Sequence, residues 1–281
     1  MTPPATHNTA PPGPTPAKRP PWLQFVKIKA FWPVRHRLSL PGLPAAFEGL
    51  RLLHLSDLHF HRRWFPAHDA LLADLARDPP DLICITGDFV EDKYDHRPAL
   101  PLLRRFCTGL SSRLGTFAIL GNHDGDLLRT RLHGCGLHLL ESENAIIRPE
   151  NAQNAELELL GLPGVDRADV DPAALPAKHP ARPRIVLAHF PDLVHLPGLA
   201  ADVYLAGHTH GGQLCLPSGR PLLTHDSLPK TMCRGVHRID QTWLVVSRGM
   251  GFSKWPVRTF CPAEVIELTL TADPTPDPTP P

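Results

Sequence analysis

The sequence predicts an α/β protein with one mixed core, and three observations support this fold class. Short apolar runs alternate with segments of helical spacing over the first half of the chain, whereas strands dominate the second half. Hydrophobic residues make up 42% and charged residues 20% of the 281 residues, which suits a globular chain with ample core. No internal repeat is visible in the chain.

Strand and helix signals follow one another from residue 34 onward. Apolar runs or period-two alternation predict strands over residues 34–40, 50–56, 81–86 and 115–120. Apolar residues at helical spacing predict helices over residues 67–77 and 98–110. Further strands are expected over residues 144–148, 156–160, 184–188 and 201–206. The last strands are expected to be antiparallel, over residues 235–240, 243–247 and 264–270.

Composition sets the expected domain boundaries and the redox state. Pro-rich and Thr-rich ends predict a disordered basic tail over residues 1–30, a folded domain over 31–270 and a disordered tail over 271–281. Six cysteines form no Cys-x-x-Cys pair, and Cys84 lies inside an apolar strand. We therefore expect reduced core cysteines rather than a disulfide framework.

Basic and aromatic residues are interleaved before and within the first strand. Residues 18–37 carry six Lys or Arg side chains together with Trp22, Phe25, Phe31 and Trp32, and no acidic residue lies among or before them. One interpretation is an interfacial segment attracted to anionic lipid, and the alternative is a solvated basic lead-in to the first strand. The stretch is too short and too charged for a membrane-spanning helix or a secretory signal. We expect a cytoplasmic protein, and peripheral contact with the inner face of the membrane through this segment stays open.

Potential metal ligands directly follow five of the predicted strands. They are Asp57-x-His59, Gly87-Asp88, Gly121-Asn122-His123-Asp124, His189 and Gly207-His208-x-His210. Ligands of α/β sheets bind beyond the carboxyl ends of the strands, so these side chains are expected to meet. Each motif alone has an ordinary structural explanation, such as a helix cap at Asp57 or a turn at Asp88. Five such coincidences together are not credible, and the set predicts a metal site.

These motifs resemble, in full and in the same order, those of the calcineurin-like metallophosphoesterases. The resemblance covers about residues 34–270 and implies a four-layer sandwich, in which two mixed β-sheets face each other and are flanked by helices. It implies two divalent metal ions, with Mn, Fe or Zn as candidates. Seven side chains would hold them: Asp57, His59 and His210 on one ion, Asn122, His189 and His208 on the other, and Asp88 between the two.

The chemistry that the resemblance implies is hydrolysis of a phosphoester. Two divalent ions about 3.5–4 Å apart lower the pKa of a bridging water towards ~7 and stabilise both ends of an in-line attack on phosphorus. By resemblance, His123 stabilises the developing charge or protonates the leaving oxygen. Asp124 would orient His123, and a turn-forming aspartate is the alternative.

Residues next to the motifs are candidates for binding the substrate. His61, Arg62 and Arg63 directly follow the first motif, and their side chains suit a phosphate group. A solvated basic loop is the alternative for these three residues. Gln213, at the end of the His-x-His motif, is a further candidate.

The expected function is hydrolysis of a phosphodiester or a pyrophosphate by a metal-activated water. Residues 207–213 and 247–258 resemble a bacterial branch in which some members resemble UDP-2,3-diacylglucosamine diphosphatases of lipid A synthesis. A role of that kind in glycolipid metabolism is the alternative, so the expected substrate is a small-molecule or a lipid-linked phosphoester. The metal ligands alone do not separate phosphodiester, phosphomonoester and pyrophosphate substrates. A non-catalytic scaffold is disfavoured because every ligand motif is intact. No nucleic-acid binding is predicted.

Overall fold

Two six-stranded mixed sheets pack against each other and enclose the largest cluster of apolar side chains. The architecture is that of a computed structural model, which describes residues 20–140, 142–164, 166–224 and 226–272. Leu52 and Leu82 of the first sheet share this core with Leu187 and Leu205 of the second. The burial of these side chains between the sheets holds the two layers together.

The first sheet is built around a run of parallel strands. In spatial order it contains β2 (Trp32–Ser39), β14 (Glu264–Thr271), β3 (Arg51–Leu55), β4 (Leu82–Thr86), β5 (Thr116–Ile119) and β6 (His138–Leu139). Strands β3 to β6 run parallel to one another, and β14 is antiparallel to β3. Strands β4 and β5 are buried throughout, as their unbroken apolar runs predict.

The second sheet has the same mixed character. In spatial order it contains β11 (Gly235–Ile239), β12 (Thr242–Val246), β10 (Val203–Ala206), β9 (Arg184–Leu187), β8 (Leu157–Gly161) and β7 (Asn144–Ile147). The four central strands are parallel, and the two edge strands are antiparallel to their neighbours. A two-stranded ribbon forms separately, from β1 (Leu23–Phe25) and β13 (Val257–Thr259). The two mixed sheets confirm the predicted fold class.

Three α-helices cover the outer face of the first sheet: α1 (Pro66–Arg77), α2 (Leu100–Gly109) and α3 (Gly125–Arg131). Leu75, Leu103 and Leu128 bring one side chain from each helix into an apolar cluster with the outer face of β4. A proline begins α1, where its missing N–H would have no partner within the helix. The helices predicted over residues 67–77 and 98–110 are confirmed.

Loops and 3₁₀ turns cover the outer face of the second sheet, and the described chain places no α-helix there. Val186, Tyr204 and Val246 pack against Phe190 and Leu193, which belong to such a turn and its cap. Proline interrupts this part of the chain too often for longer helices, at Pro172, Pro176, Pro180, Pro183, Pro191 and Pro197. The fourth layer of the sandwich is therefore irregular.

Two strand pairings differ from the expected antiparallel arrangement. Strand β14 lies parallel to β2 along its whole length, and β12 lies parallel to β10. Each of these strands has one parallel and one antiparallel neighbour. Pairing direction depends on how distant segments meet in space, which the periodicity of a single segment does not encode.

Residues 20–30 are held to the fold by a short strand and two buried side chains, although the sequence places them in the basic tail. Strand β1 pairs with β13, and Ile28 is fully buried. Gln24 points inward, where its Oε1 accepts a hydrogen bond from the Ala263 N–H at 2.8 Å. A three-residue strand is too short to produce a periodic signal. The other residues assigned to the tails lie outside the described part of the chain, apart from 271 and 272.

All six cysteines are buried free thiols, as predicted. Cys84 lies in the middle of β4, where it acts as a small apolar residue. None of the helices in the described ranges combines the length and the apolarity needed to cross a bilayer.

Candidate metal centre

The seven predicted metal ligands come from both sheets and meet at the carboxyl ends of parallel strands. They lie in the loops after β3, β4, β5, β9 and β10: Asp57, His59, Asp88, Asn122, His189, His208 and His210. Two hydrogen bonds tie the loops of the two sheets together. The His208 N–H donates to Asp57 Oδ1 at 3.0 Å, and His189 Nδ1 donates to the Thr86 carbonyl at 2.8 Å.

Asp57, His59, Asp88 and His210 form the first cluster, in which one donor atom of each lies within 4.8 Å of the others. His210 Nε2 is 2.9 Å from His59 Nε2 and 3.4 Å from Asp57 Oδ1. His59 Nε2 is 3.4 Å from Asp88 Oδ2. Two ligands bound to one metal at about 2.1 Å, with an angle of about 90–110°, lie about 3.0–3.4 Å apart. The spacing and the donor types therefore fit a divalent cation.

Asn122, His189 and His208 form the second cluster. Asn122 Oδ1 is 2.9 Å from His189 Nε2 and 2.9 Å from His208 Nδ1, and the two ring nitrogens are 3.3 Å apart. His189 Nε2 is 3.4 Å from Asp88 Oδ2, the same oxygen that lies 3.4 Å from His59 Nε2. One carboxylate oxygen is thus equally placed for a cation in either cluster.

The ligand loops adopt a backbone conformation that non-glycine residues rarely take. In the described chain eleven such residues have a positive φ, and six of them belong to the site: Asp57, His59, Asp88, His208, His210 and Gln213. Each such residue costs of order 1–3 kcal/mol. Strain that is concentrated in this way is typical of binding and catalytic sites, where it directs side chains towards one point.

Two glycines allow the loops to approach each other. A Cβ on Gly207 would overlap Ser56 Oγ and Asp57 Oδ2, and a Cβ on Gly121 would overlap Asp88. The two carboxylates can lie against the neighbouring loop only because no side chain intervenes.

Two side chains that the sequence did not predict contact the ligand rings on the side that faces away from the clusters. Arg258 Nη2 donates to His210 Nδ1 at 3.1 Å, and Glu91 Oε2 lies 2.6 Å from His59 Nδ1, although the second pair is poorly aligned for a hydrogen bond. Each group faces the nitrogen opposite the one that points into the cluster. Glu91 can accept the Nδ1 proton of a metal-binding His59 ring and so fix its orientation. Arg258 can only donate, so it contacts His210 as the tautomer that is protonated at Nε2. Arg258 lies within residues 247–258, which the sequence analysis had already related to a bacterial branch of the family. Glu91 is a single acidic residue in a loop, and no sequence pattern marked it as part of the site.

Imidazolium and carboxylate groups are paired inside the centre. Burial lowers the pKa of His59, but Asp88 and Glu91 outweigh burial and raise that pKa to about 10. Burial likewise lowers the pKa of His189, and the charge of Asp88 raises it to about 9. Although burial opposes it, the charge of His189 holds the pKa of Asp88 well below its usual value. A cation that binds here displaces ring protons, so metal binding is coupled to proton release.

His123 lies beside both clusters and lines the cavity above them. Its backbone N–H donates to Asp88 Oδ1 at 2.9 Å, and its ring Nδ1 donates to the Glu91 carbonyl at 2.7 Å. The His123 ring meets the His59 ring edge-on, with centroids 4.9 Å apart. Because Nδ1 is bound to a carbonyl, Nε2 is the nitrogen available for proton exchange.

Asp124 does not contact the His123 ring, which corrects the expectation that it orients that ring. Its carboxylate accepts hydrogen bonds from three backbone N–H groups, those of Phe89, Val90 and Gly121, at 2.7, 3.2 and 2.7 Å. Asp124 thereby joins the loop after β4 to the loop after β5, and the Glu91 carbonyl orients His123 instead. Burial and the nearby charge of Asp88 raise the pKa of Asp124 to about 7.

Gln213 holds a loop rather than presenting its amide to a substrate. Its Nε2 donates to the Ser253 and Trp255 carbonyls at 3.0 Å each, and its Oε1 accepts from the Ser253 N–H at 2.9 Å. Both amide hydrogens are used, so the expected substrate contact becomes a positioning contact with one wall of the cavity.

His61, Arg62 and Arg63 lie together in a cavity beside the first cluster. Arg62 and Arg63 are exposed, and Arg63 Nη1 donates to the Val26 carbonyl at 3.3 Å. His61 also lines a hollow next to His123. The three residues therefore lie near His59 of the first cluster, and Arg63 also binds the backbone of Val26.

A cavity of about 480 Å³ opens over the two clusters, a size that suits a small molecule or part of a larger one. Ligand residues of both clusters form one side, and four large apolar side chains line it as well: Leu214, Leu222, Leu223 and Trp255. The cavity therefore combines the metal ligands with an apolar wall.

The fold and the donor set define a metal-dependent hydrolase of the α/β class. The family model of the calcineurin-like phosphoesterases matches residues 50–212. The chain is 31% identical to phosphodiesterase YaeI of Escherichia coli (strain K12), over 84% of this chain and 87% of that protein. It is 28% identical to metallophosphoesterase YkuE of Bacillus subtilis (strain 168), over 84% of each chain.

A third relative, UDP-2,3-diacylglucosamine pyrophosphatase LpxG of Chlamydia muridarum (strain MoPn / Nigg), is 28% identical over 84% of this chain and 88% of its own. The family match covers more than half of this chain, and the YaeI match exceeds 30% identity. The chain belongs to the calcineurin-like phosphoesterase family, a family of hydrolases.

Proposed function

We propose that this protein hydrolyses a phosphodiester or a pyrophosphate at a dinuclear metal centre. The observation that carries the proposal is the position of Asp88 Oδ2, 3.4 Å from a ring nitrogen in each cluster. The first and second clusters would each hold one ion, and Asp88 would be shared. Mn, Fe and Zn are the candidates, because imidazole with carboxylate suits all three. When bound, such a pair supplies Lewis acidity and lowers the pKa of water.

The residues around the clusters would then act on the substrate directly. His123 would give its Nε2 proton to the leaving oxygen while the Glu91 carbonyl holds Nδ1. Charge on Asp88 would limit repulsion between the two cations. His61 and Arg62 would contact outer phosphate oxygens, since both line the cavity beside the first cluster.

A UDP-2,3-diacylglucosamine diphosphatase-like activity is the second candidate. The observation that favours it is the apolar wall, in which Leu222, Leu223 and Trp255 are each at least half exposed. Such side chains suit the acyl chains of a lipid-linked substrate, and a small polar diester would leave them in water. The similarity to LpxG points in the same direction.

Peripheral membrane contact through residues 18–37 belongs to the same proposal. Trp22 and Phe25 are 61% and 64% exposed, and Lys27 and Lys29 are exposed beside them. The last residues of the segment pair within the first sheet as β2, so they are poorly placed to reach a membrane. Support for the contact therefore comes from the part of the segment that precedes β2.

The test is a substrate screen on protein that has been depleted of metal and reloaded. The substrates are bis-p-nitrophenyl phosphate, p-nitrophenyl phosphate and UDP-diacylglucosamine, each with Mn, Fe or Zn. We expect turnover of a diester or the pyrophosphate that chelation removes. Protein that binds two ions yet hydrolyses none of the three would contradict the proposal, and turnover of the monoester alone would contradict the substrate class.

A further inference from the structure

The ribbon of β1 and β13 presents apolar side chains outward and polar side chains inward. Gln24 and Arg258 are paired across the ribbon and are 6% and 1% exposed, whereas Leu23 and Phe25 are 42% and 64% exposed. Side chains alternate between the two faces of a strand, and a half-buried strand ordinarily buries its apolar set. The inversion leaves an apolar face that nothing in the described chain covers.

A neighbouring hairpin-like segment enlarges this face. Leu214 forms a bridge to Thr259 of β13, and the Leu222 N–H donates to the Leu214 carbonyl at 3.0 Å. Side chains of directly paired residues point to the same face. Leu216 and Leu222 are accordingly 43% and 50% exposed. We define the ribbon face as Leu23, Phe25, Leu214, Leu216 and Leu222.

The ribbon face continues to the mouth of the cavity over the metal ligands. Leu222 lines that cavity together with Leu223 and Trp255, which are 68% and 67% exposed. The carbonyl of Pro256 accepts a hydrogen bond from the Val26 N–H, which joins the end of β1 to this rim. The described chain exposes nine large hydrophobic side chains, and only two lie apart from the face, its rim and the adjoining Trp22: Tyr94 and Leu127.

The segments that build the face carry positive charges only. No acidic residue occurs in residues 20–30, 211–224 and 253–263, and at the rim Glu91 accepts a hydrogen bond from the Lys254 N–H. The exposed cations in these segments include Lys27, Lys29, Arg220 and Lys254. Aromatic and aliphatic side chains within a cationic border suit the headgroup region of an anionic bilayer. A second copy of this chain would bring like charges together, which disfavours self-association through the face.

We propose that the ribbon face docks this protein on an anionic lipid bilayer. The apolar side chains enter the boundary between headgroups and acyl chains, and the cations contact anionic headgroups. Because Leu222 belongs both to the face and to the cavity, docking brings the mouth of the cavity to the bilayer surface. Bilayer binding does not depend on hydrolysis, so this inference and the catalytic proposal can fail separately.

The experiment is co-sedimentation of the full chain with vesicles of phosphatidylcholine, with and without phosphatidylglycerol. We expect binding to the anionic vesicles that salt weakens. Phe25→Ser combined with Leu222→Ser should lower the partition coefficient by roughly 10-fold or more, because both side chains lose apolar area to bury. The matched control is Tyr94→Ser combined with Leu127→Ser, which removes exposed apolar side chains elsewhere and should leave binding unchanged.

A charge variant keeps the test independent of folding defects in the apolar variant. Lys27→Glu combined with Lys29→Glu should lower binding about fivefold or more for each cation removed. Thermal melting checks that every variant is folded. Three results would overturn the inference: no binding of the folded full chain to anionic vesicles, equal losses in the face and control variants, or a dimer that only the face variants abolish.

Discussion

Asp88 is the residue on which both ligand clusters depend, because one of its oxygens faces a ring nitrogen of each. We predict that Asp88→Ala lowers the bound metal below two ions and abolishes turnover. Asp88→Asn keeps an oxygen donor but removes the negative charge, so its metal affinity should fall by roughly 10–100-fold. Elemental analysis after dialysis measures the metal, with Asp74→Ala on α1 as control. Two tightly bound ions and undiminished turnover in the alanine variant would rule out the shared role.

His123 should affect chemistry much more than metal binding. Its side chain is bound to the Glu91 carbonyl and faces the cavity. We predict that His123→Ala retains both ions and loses roughly 10²–10⁴-fold in turnover, the usual contribution of a positioned proton donor. The loss should be smaller for nitrophenolate than for an alkoxide leaving group, since nitrophenolate needs little protonation. Equal losses for both would favour charge stabilisation over proton donation.

Glu91 is expected to act through its neighbours. Its carboxylate faces His59 Nδ1, its other oxygen accepts from the Lys254 N–H at 2.9 Å, and its carbonyl binds His123. We predict that Glu91→Ala weakens metal binding by roughly 10–100-fold, while Glu91→Gln, which keeps an oxygen acceptor, weakens it less. Titration calorimetry with Mn measures the affinity, and Asp92→Ala in the same loop serves as control. Identical affinities of the alanine variant and the unaltered chain would exclude this role.

At the scale of secondary-structure elements, the site depends on loops that are held to one another after the strands end. Gln213 joins the loop after β10 to residues 253–255 with three hydrogen bonds. We predict that Gln213→Ala loosens the cavity wall and raises KM several-fold, with a smaller change in kcat, because the metal ligands stay in place. Hydrogen exchange of residues 253–255 reports the loosening, and the exposed Gln153→Ala is the control. A change in kcat alone would contradict this assignment.

At the scale of the whole molecule, the metal centre joins the two sheets. The first sheet supplies Asp57, Asp88 and Asn122, and the second supplies the histidines after β9 and β10. Each bound ion should stabilise the folded state by about 4 kcal/mol when free metal is 1,000 times its Kd. For a domain of this size that corresponds to an increase in Tm of roughly 10 °C.

The same stabilisation should depend on pH in a defined direction. In the metal-free protein the pKa of His59 is raised to about 10 and that of His189 to about 9. A raised pKa contributes stability that is complete below about pH 6.5 and is lost as pH rises through the folded-state pKa. The Tm of chelated protein should therefore fall from about pH 7 to about pH 10, and that of metal-loaded protein should fall less. Calorimetry measures Tm against pH for both forms. If Tm changes equally with pH in chelated and metal-loaded protein, the pairing of His59 and His189 with carboxylates is contradicted.

Sequence reasoning found the side chains of the two clusters because their signal is local. Each motif pairs a buried apolar run with a ligand side chain two to four residues beyond the strand, and both parts can be read from a short window. Adjacency in sequence misled at Asp124, since its carboxylate turns to backbone N–H groups of two loops and not to the neighbouring ring. Glu91 had no local signal, because its importance comes from His59, which lies 32 residues away in the chain.

The sequence by itself determined which side chains are available to bind metal and which strands carry them, because burial and donor type are properties of short segments. Only the tertiary structure decided that Asp88 is shared by two clusters, that Arg258 and Glu91 support the rings, and that Leu23 and Leu222 lie on one apolar face. Each of these results depends on contacts between residues far apart in the chain. Such contacts arise from strand pairing and sheet packing, which a local pattern does not specify.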